Sequence, residues 1–220
     1  MFKKRVVATA VAITYGLGIV QPAWAEIRVG VTAAVNQPAR GIPPKAAERV
    51  LHVGLDMQAD ERVITGPAGQ AQLIFLDGSN LSVGPNSDLV IDRFIYDPNT
   101  KAGELAINAA RGVFRFVGGQ ISKAKPVEFR TPTTVMGLRG GIAVINVPVD
   151  RPVQAIFLFG DHMSVSARDP VTGRDVGKTA RRPGTMIETP HGQAPMDPRV
   201  ANADEVKGFT ALFDVKPTVV

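Results

Sequence analysis

The sequence predicts an all-β fold: an elongated, solenoid-like roll or sandwich of many short strands, with a short C-terminal helix. Three observations carry this. Apolar and polar residues alternate in short runs, the period-2 signature of half-buried strands. Turn-forming Gly, Pro, Asn and Asp separate those runs at intervals of about 8 to 12 residues, consistent with 22 Gly and 17 Pro in the chain. Between the runs there is no regular helical pattern of the kind a parallel α/β fold would need.

Taken in order, residues 26–35 alternate loosely and break at Gln37-Pro38. Residues 36–48 hold three prolines and a glycine and read as a loop. Arg62-Val63-Ile64-Thr65 ends at the turn pair Gly66-Pro67. Residues 70–76 form a strand, and Asp77-Gly78 supplies the positive-φ residue a tight hairpin wants. Leu81 and Val83 return to Gly84-Pro85-Asn86, where Pro85 fixes φ and Asn86 tolerates the left-handed region. Residues 89–96 make the next strand, closed by Asp97-Pro98-Asn99. Leu105 and Ile107 share a face, and Phe114 and Phe116 alternate against Val113, Arg115 and Val117. Residues 127–130, 141–147, 153–159 and 163–167 read as further separate strands, and 168–200 as long loops or an edge segment. The helix is expected after Asn202 or Asp204, either of which can cap it, with Val206, Phe209 and Phe213 as its apolar stripe.

The N-terminus reads as an export signal. Met1-Phe2-Lys3-Lys4-Arg5 is positive, residues 6–20 are uncharged and mostly apolar, and Gln21-Pro22-Ala23-Trp24-Ala25 ends in an A-x-A site, so cleavage is expected after Ala25. The apolar run is 15 residues long, short of the roughly 20 a spanning helix needs. The expected organisation is a signal peptide at 1–25, an all-β domain at 26–200 and a helical tail at 201–220. The mature chain is expected to be periplasmic and not membrane-spanning.

Removing Lys3, Lys4 and Arg5 takes the formal net charge from +5 to +2, too little to indicate a nucleic-acid partner. With no Cys in the chain, disulfides, thiolate metal sites and Cys nucleophiles are excluded. His52, His162 and His191 are far apart and lack a second ligand at helical spacing. Asp97-Pro98-Asn99-Thr100-Lys101-Ala102 starts like a calcium loop, but Lys101 stands at a ligand position and Ala102 at the turn glycine. No Gly-x-Ser-x-Gly elbow exists; Ser79, Ser82, Ser87, Ser164 and Ser166 fall in turns or on alternating strand positions. Asp88 and Asp92 read as solvated strand ends rather than a carboxylate pair. Gly137-Leu138-Arg139-Gly140-Gly141 is either an anion-holding nest or a bulge at close-packed strands. No enzyme and no cofactor is expected.

Several segments, in order, carry a family resemblance: residues 51–54, 60–66, 73–79, 83–89 and 111–116, then Arg130-Thr131-Pro132-Thr133-Thr134-Val135-Met136-Gly137-Leu138-Arg139-Gly140. Together they resemble the FecR-like domain family over about 90 residues. The resemblance implies a periplasmic all-β domain. In its best-known members the domain belongs to a membrane-spanning regulator that carries a signal from an outer-membrane receptor to a cytoplasmic sigma factor. This sequence departs from that regulator: only Met1 to Arg5 precede the hydrophobic run, and no retained span is expected. Gly141-Ile142-Ala143 also stands where the family usually has Thr, an acid and an aromatic.

The expected role is a non-catalytic sensing or scaffolding module that acts through an envelope protein, itself a membrane-bound sensor or receptor. The alternative is binding of an anionic envelope glycan or lipid. Candidate contacts are the basic residues Arg111, Arg115, Lys123, Lys125, Arg130 and Arg139, with Glu128 the only acid between 111 and 139. They form either a binding face or an ordinary solvated one. The stripe Val206, Phe209 and Phe213 either docks a partner or packs on the domain's own sheet.

Overall fold

The structure, a computed structural model, describes residues 28–213. The expected signal segment and its cut after Ala25 lie outside the described residues. Among the described residues no helix is long and apolar enough to cross a membrane.

The strands are β1 (Arg28–Asn36), β2 (Ala39–Ile42), β3 (Arg49–Val50), β4 (Asp56–Gln58), β5 (Arg62–Thr65), β6 (Gln70–Phe75), β7 (Asn80–Val83) and β8 (Asp88–Asp97). Then follow β9 (Ala102–Val117), β10 (Val127–Arg130), β11 (Val135–Val147), β12 (Val153–Arg168), β13 (Asp175–Ala180), β14 (Thr185–Thr189) and β15 (Arg199–Val200). Two helices complete the chain, α1 (Gln120–Ala124) and α2 (Ala203–Ala211). All the strands join one continuous open sheet, so the all-β expectation holds.

Three long strands fold that sheet onto itself. The N-terminal part of β9 pairs with β8 and β10, and its C-terminal part with β7 and β11. β11 pairs first with β10, then with β9, and β12 pairs with β13 at one end and β14 at the other. The first layer is therefore β4-β1-β6-β7 continued by one half of each long strand and by β14-β15. The second layer is β3-β2-β5-β8 continued by the other halves, β10 and β13. One hydrophobic cluster draws on both layers. Phe75 of β6 stacks on Phe94 of β8 at 5.7 Å, and Phe116 of β9 meets Phe129 of β10 edge-on at 5.2 Å.

Here the structure joins segments that the sequence separates. Residues 104–108 and 113–117 belong to one strand, as do 153–159 and 163–167. Glycines that read as breaks are bends inside strands. Gly112 (φ +112°), Gly140 (+48°), Gly141 (+148°) and Gly160 (+129°) sit where the long strands pass between layers. A Cβ on Gly141 would lie 1.9 Å from the Phe159 carbonyl oxygen, and one on Gly160 1.7 Å from that of Gly140. Close backbone approach, not anion binding, accounts for this glycine run.

The N-terminal loop at 36–48 contains β2, and the stretch 168–200 supplies β13, β14 and β15. Their pairing is set by long-range partners rather than local alternation. The turns at Gly78 (φ +81°) and Asn86 (φ +53°) are left-handed as the sequence predicts. The one-turn helix α1 is unannounced by local pattern because its cap is remote. Asp77 Oδ2 accepts from Ile121 N at 3.1 Å, and the Asp77 carbonyl from Gln120 N at 2.9 Å. Asp77 also accepts from Ser79 N and Ser79 Oγ, while Gly119 N donates to Ser79 Oγ. The Asp77-Gly78-Ser79 turn thus anchors α1, which buries Ile121 completely.

Candidate docking surface

The buried carboxylates are all engaged in holding the fold. Glu61, fully buried, accepts from the Arg49 guanidinium at 2.8 and 2.9 Å and from Gln58 N at 3.0 Å. Asp88 takes a bidentate fork from Arg62 at 2.6 and 2.8 Å. Among the described residues, no three His, Asp or Glu side chains converge as a metal site requires.

The six candidate basic residues do not share one surface. Lys125 pairs with Glu104, which Arg93 also reaches at 3.0 Å. Together they hold the Glu104 carboxyl below its usual range, with Lys125 the larger cause. Arg130 pairs with Glu128 at 2.7 Å and Asp92 at 3.0 Å. These side chains lie together on the second layer, where cations and acids alternate across neighbouring strands. Arg139 sits at the β11 bend, 3.5 Å from Asp161. Lys123 is exposed on α1, and Arg111 is exposed at the β9 bend. Arg115 stands apart on the outer face of the first layer, exposed between the fully buried Phe114 and Phe116. Among the described residues no carboxylate lies within ion-pair distance of Arg115. A linear stretch poor in acids conceals pairings with Asp92, Glu104 and Asp161, which the fold brings in from elsewhere.

The outer face of the first layer is partly covered by α2. Asn202 caps the helix in a capping box: Glu205 N donates to its side chain at 2.8 Å, and Asn202 N donates back to Glu205 at 2.8 Å. Val206 and Phe209 pack on Ile156 and Met186, so these two stripe residues lie on the domain's own sheet. Gln70 Nε2 of β6 donates to the Leu212 carbonyl at 2.7 Å, and Phe213 lies beside Gly84. The helix therefore runs across the strands from β14 toward β6. Where it slants away it leaves a groove of about 440 Å³, lined in part by Asn36, Gln70, Gln72, Ser82, Arg115 and Phe213. Gln70 Oε1 is buried there with no hydrogen-bond partner among the described residues.

Arg199 fastens the start of α2. Its guanidinium reaches Glu205 at 2.6 Å and Glu188 of β14 at 3.1 Å. Arg199, with help from Asn202 N, holds the Glu205 carboxyl down to about 2 from an ordinary 4.5. A depressed carboxyl stabilises the docked helix above its unfolded value and loses that contribution as pH falls toward the folded one. The α2 amide and Phe209 ring signals in NMR are therefore expected to shift toward an undocked helix between pH 4.5 and 2. Glu205→Gln should remove that step, and an unchanged step in this variant would contradict the assignment.

Comparison with known proteins places this fold. Residues 61–160 match the family model described as FecR protein; the match extends through the β11–β12 bend. Two crystal structures of a candidate anti-sigma factor from Parabacteroides distasonis ATCC 8503, at 2.50 and 1.65 Å resolution, resemble the chain. Both align with a TM-score of 0.50, at 11% and 12% identity, over 68% of this chain. The alignment covers 63% and 64% of those proteins, less than two thirds of their length. No curated protein sequence matches the chain. Residues 61–160, somewhat less than half of the chain, are thus similar to the FecR protein family.

Proposed function

We propose that this chain is a periplasmic, non-catalytic FecR-type module that relays or scaffolds an envelope signal through a protein partner, itself a membrane-bound sensor or receptor. One observation carries the reading. A FecR domain presents a broad sheet face that its own C-terminal helix covers only in part, while its buried carboxylates Glu61, Asp77 and Asp88 are engaged in structural bonds. The described relatives of the same fold are candidate anti-sigma factors, which agrees with a regulatory role. The N-terminal positive, apolar and A-x-A regions supply the export route.

The glycan or lipid reading would need the cations of residues 111–139 to act together. Three of the six face acids within the fold, and the other three are dispersed, Arg111 at the β9 bend, Arg115 on the first layer's outer face and Lys123 on α1, so they do not form one field to hold a polyanion. The test is in-cell crosslinking followed by mass spectrometry of what co-purifies with the exported protein. One dominant envelope protein supports the relay reading. Recovery of the chain with glycan or lipid fractions, and no protein adduct, contradicts it.

A further inference from the structure

The first layer carries an uncovered apolar row. Register pairs connect Val31 to Ile74, Ile74 to Asn80, Asn80 to Val117, Val117 to Ile142 and Ile142 to Phe159. Directly paired residues share a face, so these six side chains form one line across β1, β6, β7, β9, β11 and β12. Five of the six are apolar. Phe159 is 66% exposed and Ile74 39%, while Val31, Val117 and Ile142 are half-buried. A bulge makes the exposure of Phe159 possible. Ile142 pairs with Phe159 and Ala143 with Phe157, so Leu158 is the extra residue. Leu158 packs against the cluster of Ile156, Met186 and Ala201, and Phe159 is left in solvent.

The neighbouring row shows what covers such a surface in this fold. Arg115 pairs with Val144, Val144 with Ile156 and Ile156 with Met186. The last three are buried on the outer face, and Val206 and Phe209 of α2 rest on Ile156 and Met186. Rows two residues apart lie about 7 Å from each other, and packed helices about 8–10 Å apart. A second helix thus fits beside α2 on the open row. The row spans five strand spacings, about 24 Å, the length of about 16 helical residues. At its side Arg115 opens into the groove that α2 leaves.

We propose that this row, with Arg115, is the docking surface for an amphipathic, acidic helix of the partner protein; the proposal rests on the relay reading above. The apolar line takes the helix's apolar stripe. A carboxylate on its flank meets Arg115, the cation beside this row, which has no acid within ion-pair distance among the described residues. A second copy of this chain is a poor occupant. The outward positions of β6, β7, β9 and β11 along this row and the Arg115 row hold no Asp or Glu to supply the counter-charge.

The probe is a fluorescein-labelled amphipathic Leu/Ala/Glu peptide of about 16 residues, read by anisotropy against the full exported chain. Its Leu/Ala/Lys counterpart is the control. The acidic peptide is expected to bind saturably, and Phe159→Asp to weaken it about tenfold or more. Arg115→Glu should reverse the preference toward the basic peptide by a similar factor, about tenfold. Both substitutions are at exposed positions, and a thermal melt confirms folding. Equal binding of the two peptides, or indifference to both variants, overturns the proposal. So does a homodimer in sedimentation that Phe159→Asp disperses and the peptide fails to compete. If the in-cell partner persists in both variants, this surface is wrong and the relay reading survives; if wild-type protein captures no partner, the relay reading itself fails.

Discussion

Among the described residues, Gly160→Ala is expected to be the most damaging single-methyl change at a glycine. The added Cβ would lie 1.7 Å from the Gly140 carbonyl oxygen, and residue 160 holds φ at +129°. The obstacle is backbone, which cannot rotate away as a side chain can. The strained dihedral costs about 1–3 kcal/mol and the displaced strand about 1–3 kcal/mol more. That is a large share of the stability of a typical domain, about 5–15 kcal/mol. The measurement is the urea midpoint at constant m-value. Gly184→Ala is the matched control: residue 184 also has positive φ, +79°, but its Cβ would meet nothing within 4 Å, so about 1–2 kcal/mol is expected. Equal midpoints for the two variants would contradict the account of β11 and β12 as strands that bend at a shared glycine contact.

Arg49→Ala is the second large effect. Glu61 is wholly buried and Arg49 is its cationic partner, at 2.8 Å. Removing one member of a buried pair leaves the other charge unmatched, at a cost of about 3–5 kcal/mol. Gly41 leaves no spare room, since a Cβ there would lie 2.3 Å from Glu61 Oε1. The loss should appear in thermal or urea unfolding. The double variant Arg49→Met, Glu61→Leu should recover much of it, because the buried charge disappears with its partner. A single variant as stable as wild type would show that Glu61 is hydrated, not sequestered.

The parts of this fold legible in sequence are those with a local cause. Alternation at residues 70–76 and 89–96 gives β6 and β8, and Gly78 and Asn86 mark their turns because only certain residues tolerate positive φ. The cap at Asn202 is a local pattern as well. What escaped reading depends on distant partners. Gly112 and Gly160 look like strand breaks, and only the facing Ser87 and Gly140 reveal them as bends. Helix α1 owes its start to Asp77, 44 residues earlier. The candidate surface followed the same rule. Alternation with Phe114 and Phe116 singles out Arg115, yet the sequence does not separate it from Lys125 or Arg130, whose partners Glu104, Glu128 and Asp92 come from the fold. The apolar row of Val31, Ile74, Val117, Ile142 and Phe159 has no signal in linear sequence. It exists through register alone, and the bulge at Leu158 decides its end.

The central claim is that the chain works through a partner seated on the first layer's open face. It is tested most directly by in-cell photo-crosslinking from single positions of the full exported chain. A photoreactive residue at 117 or 159 samples the open row. One at Ile95, 59% exposed on β8 of the second layer, samples the opposite face. The account predicts one envelope-protein adduct from 117 and 159, and none from 95. Adducts of equal yield from all three positions, or from none, would contradict it.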